Sequence, residues 1–156
     1  MREVNIYVKS SIKSTRKRDG YIAYVLELIT DKKPVTLNGF EKVEQMTSNQ
    51  SELAAITKAL KRMNSKCVLT IYTDSKYIGS AVENNWIEGW QKKNWVNAKN
   101  EPIANAKEWQ NLLKLLEGHK YSVVVGFKHE YASWMKRELD KKNDEKASGE
   151  NDVRLL

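Results

Sequence analysis

Seven consecutive residues, Cys67–Thr73 (CVLTIYT), form a β-branched run that stops abruptly at a carboxylate followed by a hydroxyl, Asp74-Ser75. A run of this length and composition reads as a strand. A strand that ends in Asp holds its carboxylate on the rim of a sheet. Before it, Leu53, Ile56, Leu60 and Met63 are spaced three, four and three apart, which makes one apolar stripe of a helix from Asn49 to near Asn64. Earlier still, Val4, Ile6 and Val8 alternate with Asn5, Tyr7 and Lys9, the period-2 pattern of a strand with two distinct faces. Residues 21–29 and 35–40 read as two more strands around an Asp31-Lys32-Lys33-Pro34 turn. Short loops make the three an antiparallel meander, and the helix then carries the chain over to a parallel fourth strand.

After Asp74 the pattern is helical. Tyr77, Ile78 and Val82 give a short helix, and Trp86 and Trp90 stand four apart beside Lys92, Lys93, Trp95 and Lys99, a basic segment closed by Pro102. Ala106, Trp109, Leu112, Leu113 and Leu116 define a second amphipathic helix that stops at Glu117-Gly118. Residues 121–127 are a Val-rich fifth strand, and Tyr131, Trp134, Met135 and Leu139 form one face of a last helix. From residue 143 to 156 the sequence is polar and loses periodicity, so a disordered tail is expected after a single domain of residues 1–142.

With 156 residues, 40% of them hydrophobic, the chain supports one core and not two domains. The only cysteine, Cys67, sits in a strand pattern, which excludes a disulfide within the chain and points to a reducing, cytoplasmic setting. The first thirty residues contain no unbroken apolar run, so no membrane partner is expected. A net charge of +7 suits either a phosphate-rich partner or a solvated lysine surface. The loop of residues 10–20, with Lys13, Arg16, Lys17 and Arg18, carries the same two readings.

Three stretches taken together resemble the type 1 ribonuclease H family. Thr47-Ser48-Asn49-Gln50-Ser51-Glu52-Leu53 is similar to its Thr-Asn-Asn-x-x-Glu-Leu helix start, Thr73-Asp74-Ser75-Lys76-Tyr77 to its Thr-Asp-Ser-x-Tyr turn, and the spacing of Trp86, Trp90, Trp95, Pro102 and Trp109 to its basic protrusion. The resemblance covers roughly residues 3 to 140. It implies an α/β fold with a five-stranded mixed sheet, three antiparallel strands followed by two parallel ones, flanked by helices. It also implies an endonuclease that hydrolyses the RNA strand of an RNA–DNA hybrid with two magnesium or manganese ions held by four acids. Several carboxylates are needed because two divalent cations about 4 Å apart repel each other.

Residue by residue, the resemblance gives Glu52 and Asp74 as catalytic and metal-binding acids. The family's first acid falls on Val8-Lys9-Ser10-Ser11, so a lysine stands where a metal-bridging aspartate is expected. For the last acid the register is open among Arg137, Leu139 and Asp140. With Tyr131, Trp134, Met135 and Leu139 turned inward, Glu138 shares their stripe and Asp140 points away, so Glu138 is the expected third acid; an edge charge is the other reading. Lys9 is expected to pair with both Asp74 and Glu52 in place of metal. For inert roles, Glu52 fits a capping box with Asn49, and Asp74 fits a cap on the next helix.

The resemblance further assigns Thr47, Ser48, Asn49 and Lys76 to groove and phosphate contacts. It assigns Trp86, Trp90, Lys92, Lys93, Trp95 and Lys99 to a grip on the DNA strand, core packing being the other use of Trp86 and Trp90. Three functions are then open: a degenerate site that binds hybrid without cutting it and needs no cofactor, an active nuclease rebuilt on Glu52, Asp74 and Glu138, or a fold reused for protein interaction. A monomer is the default expectation.

Overall fold

The computed structural model describes the backbone of residues 1–155 and the side chains of residues 1–144. Its elements follow in the order β1 (Arg2–Ser10), β2 (Arg18–Leu28), β3 (Val35–Met46), α1 (Ser48–Lys61), β4 (Cys67–Thr73), α2 (Lys76–Glu83), α3 (Trp86–Lys92), α4 (Ala106–Leu116), β5 (Lys120–Val125) and α5 (Ala132–Leu155). The five strands form one sheet in the order β3-β2-β1-β4-β5. β1 pairs antiparallel with β2, and β2 with β3, while β1 with β4 and β4 with β5 are parallel. This is the mixed sheet that the sequence implies, with β1 at its centre.

The alternation in β1 sorts the two faces. Val4, Ile6 and Val8 enter the larger core with Leu53, Ile56 and Leu60 of α1, Leu69 and Ile71 of β4, and Trp109 and Leu112 of α4. Tyr7 faces the other way, into a smaller core with Ala23, Val25, Met135 and Leu139 under α5. Lys9 is two residues on from Tyr7 and therefore lies on the α5 face. Cys67 is buried, as its place in the strand requires.

Several boundaries differ from the sequence reading. β3 runs six residues past Phe40 to Met46, because its pairing with β2 outlasts its apolar residues. The start of the Trp-rich segment is helical, with no buried residue in α3. The helix cap before Glu52 is Thr47: its Oγ1 accepts from the Gln50 N–H at 3.2 Å, and Gln50 Oε1 accepts from the Thr47 N–H at 3.0 Å. Ser75 caps α2 by accepting from the Ile78 N–H at 3.1 Å. Neither Glu52 nor Asp74 is used as a cap, and both are left for other work. The expected tail lies, apart from Asn143 and Asp144, beyond the described side chains, and α5 continues through it in backbone to Leu155.

Glycine matters at one packing point. A Cβ at Gly79 of α2 would overlap the Val125 side chain at the end of β5, so the bare backbone lets α2 settle on that strand.

Under α5 lies a buried acid that the sequence did not flag. Glu27 of β2 is 4% exposed. Its Oε1 accepts from the Asn5 amide and the Tyr7 hydroxyl, both at 2.9 Å, and its Oε2 accepts from the Tyr131 hydroxyl just before α5. Burial alone would raise this carboxyl, but the hydrogen bonds from Tyr131, Asn5 and Tyr7 outweigh it and hold Glu27 below the usual 4.5. An acid lowered in the folded state stabilises the fold above its unfolded pKa and loses that contribution as the pH falls through the folded value. Glu27→Gln should therefore flatten the loss of stability below pH 4.5, read by thermal melts across that range. Glu27→Ala, which strands three donors, should cost roughly 3 kcal/mol in chemical denaturation.

Candidate functional site

The parallel pairing of β1 and β4 puts Tyr7 opposite Tyr72. Two residues further on stand Lys9, still in β1, and Asp74, just past the end of β4, and their side chains meet at the rim of the sheet. The Lys9 Nζ donates to Asp74 Oδ2 at 2.9 Å. The lysine side chain is 18% exposed and the aspartate 44%. The ammonium thus lies partly inside the protein and the carboxylate at its mouth.

Glu52 comes up from α1 beneath this pair, 3% exposed. Its Oε1 accepts from the Thr73 hydroxyl at 2.7 Å and from the Asp74 backbone N–H at 2.9 Å. Its Oε2 is buried and has no partner among the described residues. Burial raises the Glu52 carboxyl, against the lowering effect of the two donors. The expected pairing of Lys9 with both acids is therefore half right. Lys9 takes Asp74, and Glu52 is held from inside the fold because its bonded oxygen points at the end of β4.

His129 lies on the α5 side of the same centre, its ring centroid 4.3 Å from that of Tyr7 and 6.1 Å from that of Tyr72. Its Nδ1 is buried without a partner among the described residues. Burial and the nearby Lys9 cation lower its pKa, and Asp74 and Glu27 partly offset them.

The expected third acid is not at this centre. Glu138 Oε1 pairs with Lys141 at 3.3 Å along the surface of α5. The acid of α5 that lines the cleft beside Lys9 is Asp140, together with Lys136, to which it is bonded at 3.0 Å. As the spacing implies, Tyr131, Trp134, Met135 and Leu139 all pack under α5, with Glu138 half-buried on their flank and Asp140 exposed. Met135 and Leu139 are the two buried positions of that stripe. Lys13, one of the basic loop residues that the sequence singles out, lines this cleft, and Lys136 is the cleft residue that sequence reasoning passed over. The signal for Lys136 was its place between those two buried residues.

The groups assigned to nucleic-acid contact divide into supports and surface. Thr47 is occupied as a cap, and Asn49 Oδ1 accepts from Ser75 Oγ at 2.8 Å, which ties the starts of α1 and α2 together. The Ser48 N–H donates to the Ser14 carbonyl at 2.9 Å and anchors the loop after β1. Lys76 is exposed. Trp90 is a hub, with ring centroids 6.3 Å from Trp86, 5.9 Å from Trp95 and 5.8 Å from Trp109. Trp90 and Trp95 pack against the larger core, which makes them structural supports, while Trp86 is 42% exposed. Lys92 pairs with Glu88 at 3.3 Å, and Lys93 and Lys99 are exposed.

These donors do not fit a pair of divalent ions. Among the described residues no group of three or more His, Cys, Asp or Glu side chains is placed to hold a metal. Of the two acids present, one is bonded to an ammonium and the other offers a single open oxygen. A hard cation needs several oxygen ligands and no cation among them.

The family model for RNase H matches residues 1–145. Over 128 residues the chain is 38% identical to the ribonuclease H of Caldicellulosiruptor saccharolyticus, covering 81% of this chain and 85% of that one. It is 31% identical over 141 residues to the ribonuclease H of Campylobacter curvus, covering 87% and 81%. Among solved structures, LC9-RNase H1, described as a type 1 RNase H with the type 2 active-site motif, matches with a TM-score of 0.73 at 18% identity, over 90% of this chain and 72% of that one. LC11-RNase H1 in complex with RNA/DNA hybrid matches with a TM-score of 0.57 at 10% identity, over 89% and 98%. At such identities the structural matches speak for the fold alone.

Lys9→Ala tests the electrostatics of the centre. Because its partner is well exposed, the loss should cost less than about 1 kcal/mol in chemical denaturation. Removing a cation and unmasking Asp74 both favour imidazolium, so the His129 pKa should rise in an NMR titration. An unchanged or lower value would show that Lys9 does not govern this site.

Proposed function

Because this chain belongs to the ribonuclease H family, we propose that it binds RNA–DNA hybrid or a related duplex and that its hydrolytic activity is lost or strongly weakened. The observation that carries this reading is the 2.9 Å bond between Lys9 and Asp74. Catalysis by two ions requires carboxylates free to clamp the attacking and leaving oxygens. Here a fixed ammonium occupies one of them, and divalent cations would have to approach against its charge.

Binding does not need that chemistry. A hybrid duplex is recognised through its shape, its phosphates and its 2′-hydroxyls. Short polar groups at the start of α1, Thr47, Ser48 and Asn49, suit the groove, and Lys76 at the start of α2 suits a phosphate. Trp86, Lys93 and Lys99, with Lys92 beside its glutamate, suit the backbone of the DNA strand, while Trp90 and Trp95 hold that segment in shape. Since a cation is already built into the site as Lys9, binding is independent of magnesium or manganese. The single buried cysteine agrees with a cytoplasmic setting.

A second reading, an active hybrid endoribonuclease, is favoured by the name of the curated relatives and by the open Glu52 Oε2. It would draw on Asp140 at the cleft in the role first expected of Glu138.

A labelled hybrid separates the two. Incubated with magnesium or manganese it should stay intact, and in EDTA it should shift on a gel with undiminished affinity. Cleavage abolished by Glu52→Gln would establish the second reading, and a hybrid neither cleaved nor shifted would remove both. Lys9→Asp should gain manganese binding, read by calorimetry, from essentially none to a measurable level.

A further inference from the structure

At the pole of the sheet away from Lys9 and Asp74, a cavity of about 190 Å³ opens between the outer strands and the end of α1. Val4, Leu26, Leu28, Val35, Leu37 and Met63 make it apolar, and Arg2 and Arg62 complete its lining with two guanidinium groups. Val35 and Leu37 belong to β3, the edge strand, and stay 58% and 47% exposed. From this combination we infer that the first half of β3 takes an extended, acidic segment of a partner protein as a sixth strand, with one apolar side chain of that segment in the cavity. The surface shares no residue with the Lys9–Asp74 centre or with the segment around Trp86, so a partner held here leaves both free.

Arg62 sets the charge of the partner. Its Nη1 donates to the Tyr24 hydroxyl at 2.7 Å, and its guanidinium lies over the Tyr24 ring, 6.0 Å from the centroid. Tyr24 is itself part of the larger core, so this cation is fixed in place before any ligand arrives. Neither Arg62 nor Arg2 is ion-paired with an acid among the described residues. A positioned guanidinium without a counter-ion, beside apolar surface, suits a carboxylate, to which its planar fork can present two parallel N–H donors. Lys61 and Lys66, both exposed, add to the basic surroundings.

The edge is open for pairing. β3 is bonded to β2 on one side only, and from Val35 to Val43 that register is unbroken, with the irregularity falling beyond Val43. Edge strands are ordinarily blunted by charge, proline or a bulge. Residues 35–40 contain no charged side chain and no proline. A strand added to such an edge turns alternate side chains to one face, so the residue that enters the cavity and the acid that meets Arg62 stand two apart in the partner. A second copy of this chain is a poorer occupant. The same stretch of β3 offers no acid, and the next one, Glu41, is paired with Lys58 at 3.4 Å.

Peptide selection on the whole chain tests this. From a library of random short peptides displayed inside a scaffold loop, with neither end free, the selected binders should carry an apolar residue with Asp or Glu two positions away. Such a peptide should slow amide hydrogen exchange in Val35–Phe40 of the unaltered protein by at least about tenfold. Arg62→Glu should weaken its binding by at least about tenfold, and replacing the peptide's acid by lysine should restore binding to that variant. Leu37→Lys, a change at an exposed position, should weaken it whatever the charge at residue 62. Failure to select any binder, binders without an acid, or protection confined to other strands would each overturn the inference. So would protection of Val35–Phe40 that rises with protein concentration in the absence of peptide, since a second copy would then occupy the edge.

Discussion

The parallel pairing of β1 with β4 is the constraint on which the site depends. It sets the ends of two central strands side by side, so that residue 9 and residue 74 meet although the chain between them includes a hairpin, a third strand and a helix. Any residue types at those positions would be brought together. What they do there is decided by charge, and an ammonium beside a carboxylate makes a closed pair where two carboxylates would make an open cation site.

Glu52 shows how firmly these strand ends are held. A buried carboxylate with one oxygen unpartnered is costly, and its raised pKa reflects the cost of burial. It persists because its other oxygen locks the turn after β4, taking the Thr73 hydroxyl and the Asp74 N–H. The acid is thus structural whether or not a cation ever approaches it. The same economy appears at the start of α1 and α2, where Thr47, Asn49 and Ser75 spend their side chains on caps and on each other. These polar groups fix the rim of the site before they meet any ligand.

The second face of the sheet is less apolar than the first, and this has consequences for what surrounds the centre. Under α5 the core is small and is completed by tyrosines, a histidine and the Glu27 carboxylate, which takes the hydroxyls of Tyr7 and Tyr131. Hydrogen bonds here do work that aliphatic packing does beneath α1. They fix the beginning of α5, and through it the position of Lys136 and Asp140 along the cleft beside Lys9. The basic character of the chain is therefore organised and not merely spread over its surface.

Much of this was legible in the sequence, and the part that was not has a common cause. The five strands and the order of the helices follow from side-chain period, which depends only on neighbours along the chain. Motif spacing identified Glu52 and Asp74, and the lysine at position 9 announced its partner because residue type at a known strand end fixes the charge. The helix caps escaped. The stripe of α5 placed Glu138 inward of Asp140, but it could not show the Lys141 with which Glu138 pairs. The inert reading of Glu52, a capping box with Asn49, fails because the helix starts earlier, at a Thr47 cap. Trp86 and Trp90 could be read as surface or support, and only the packing of Trp90 against Trp109 of α4 and the exposure of Trp86 decided. Local pattern determined the elements and singled out Glu52 and Asp74. Tertiary contact alone decided which polar groups are spent inside the fold and which remain to face a ligand, because that depends on distances between residues that the chain order leaves free.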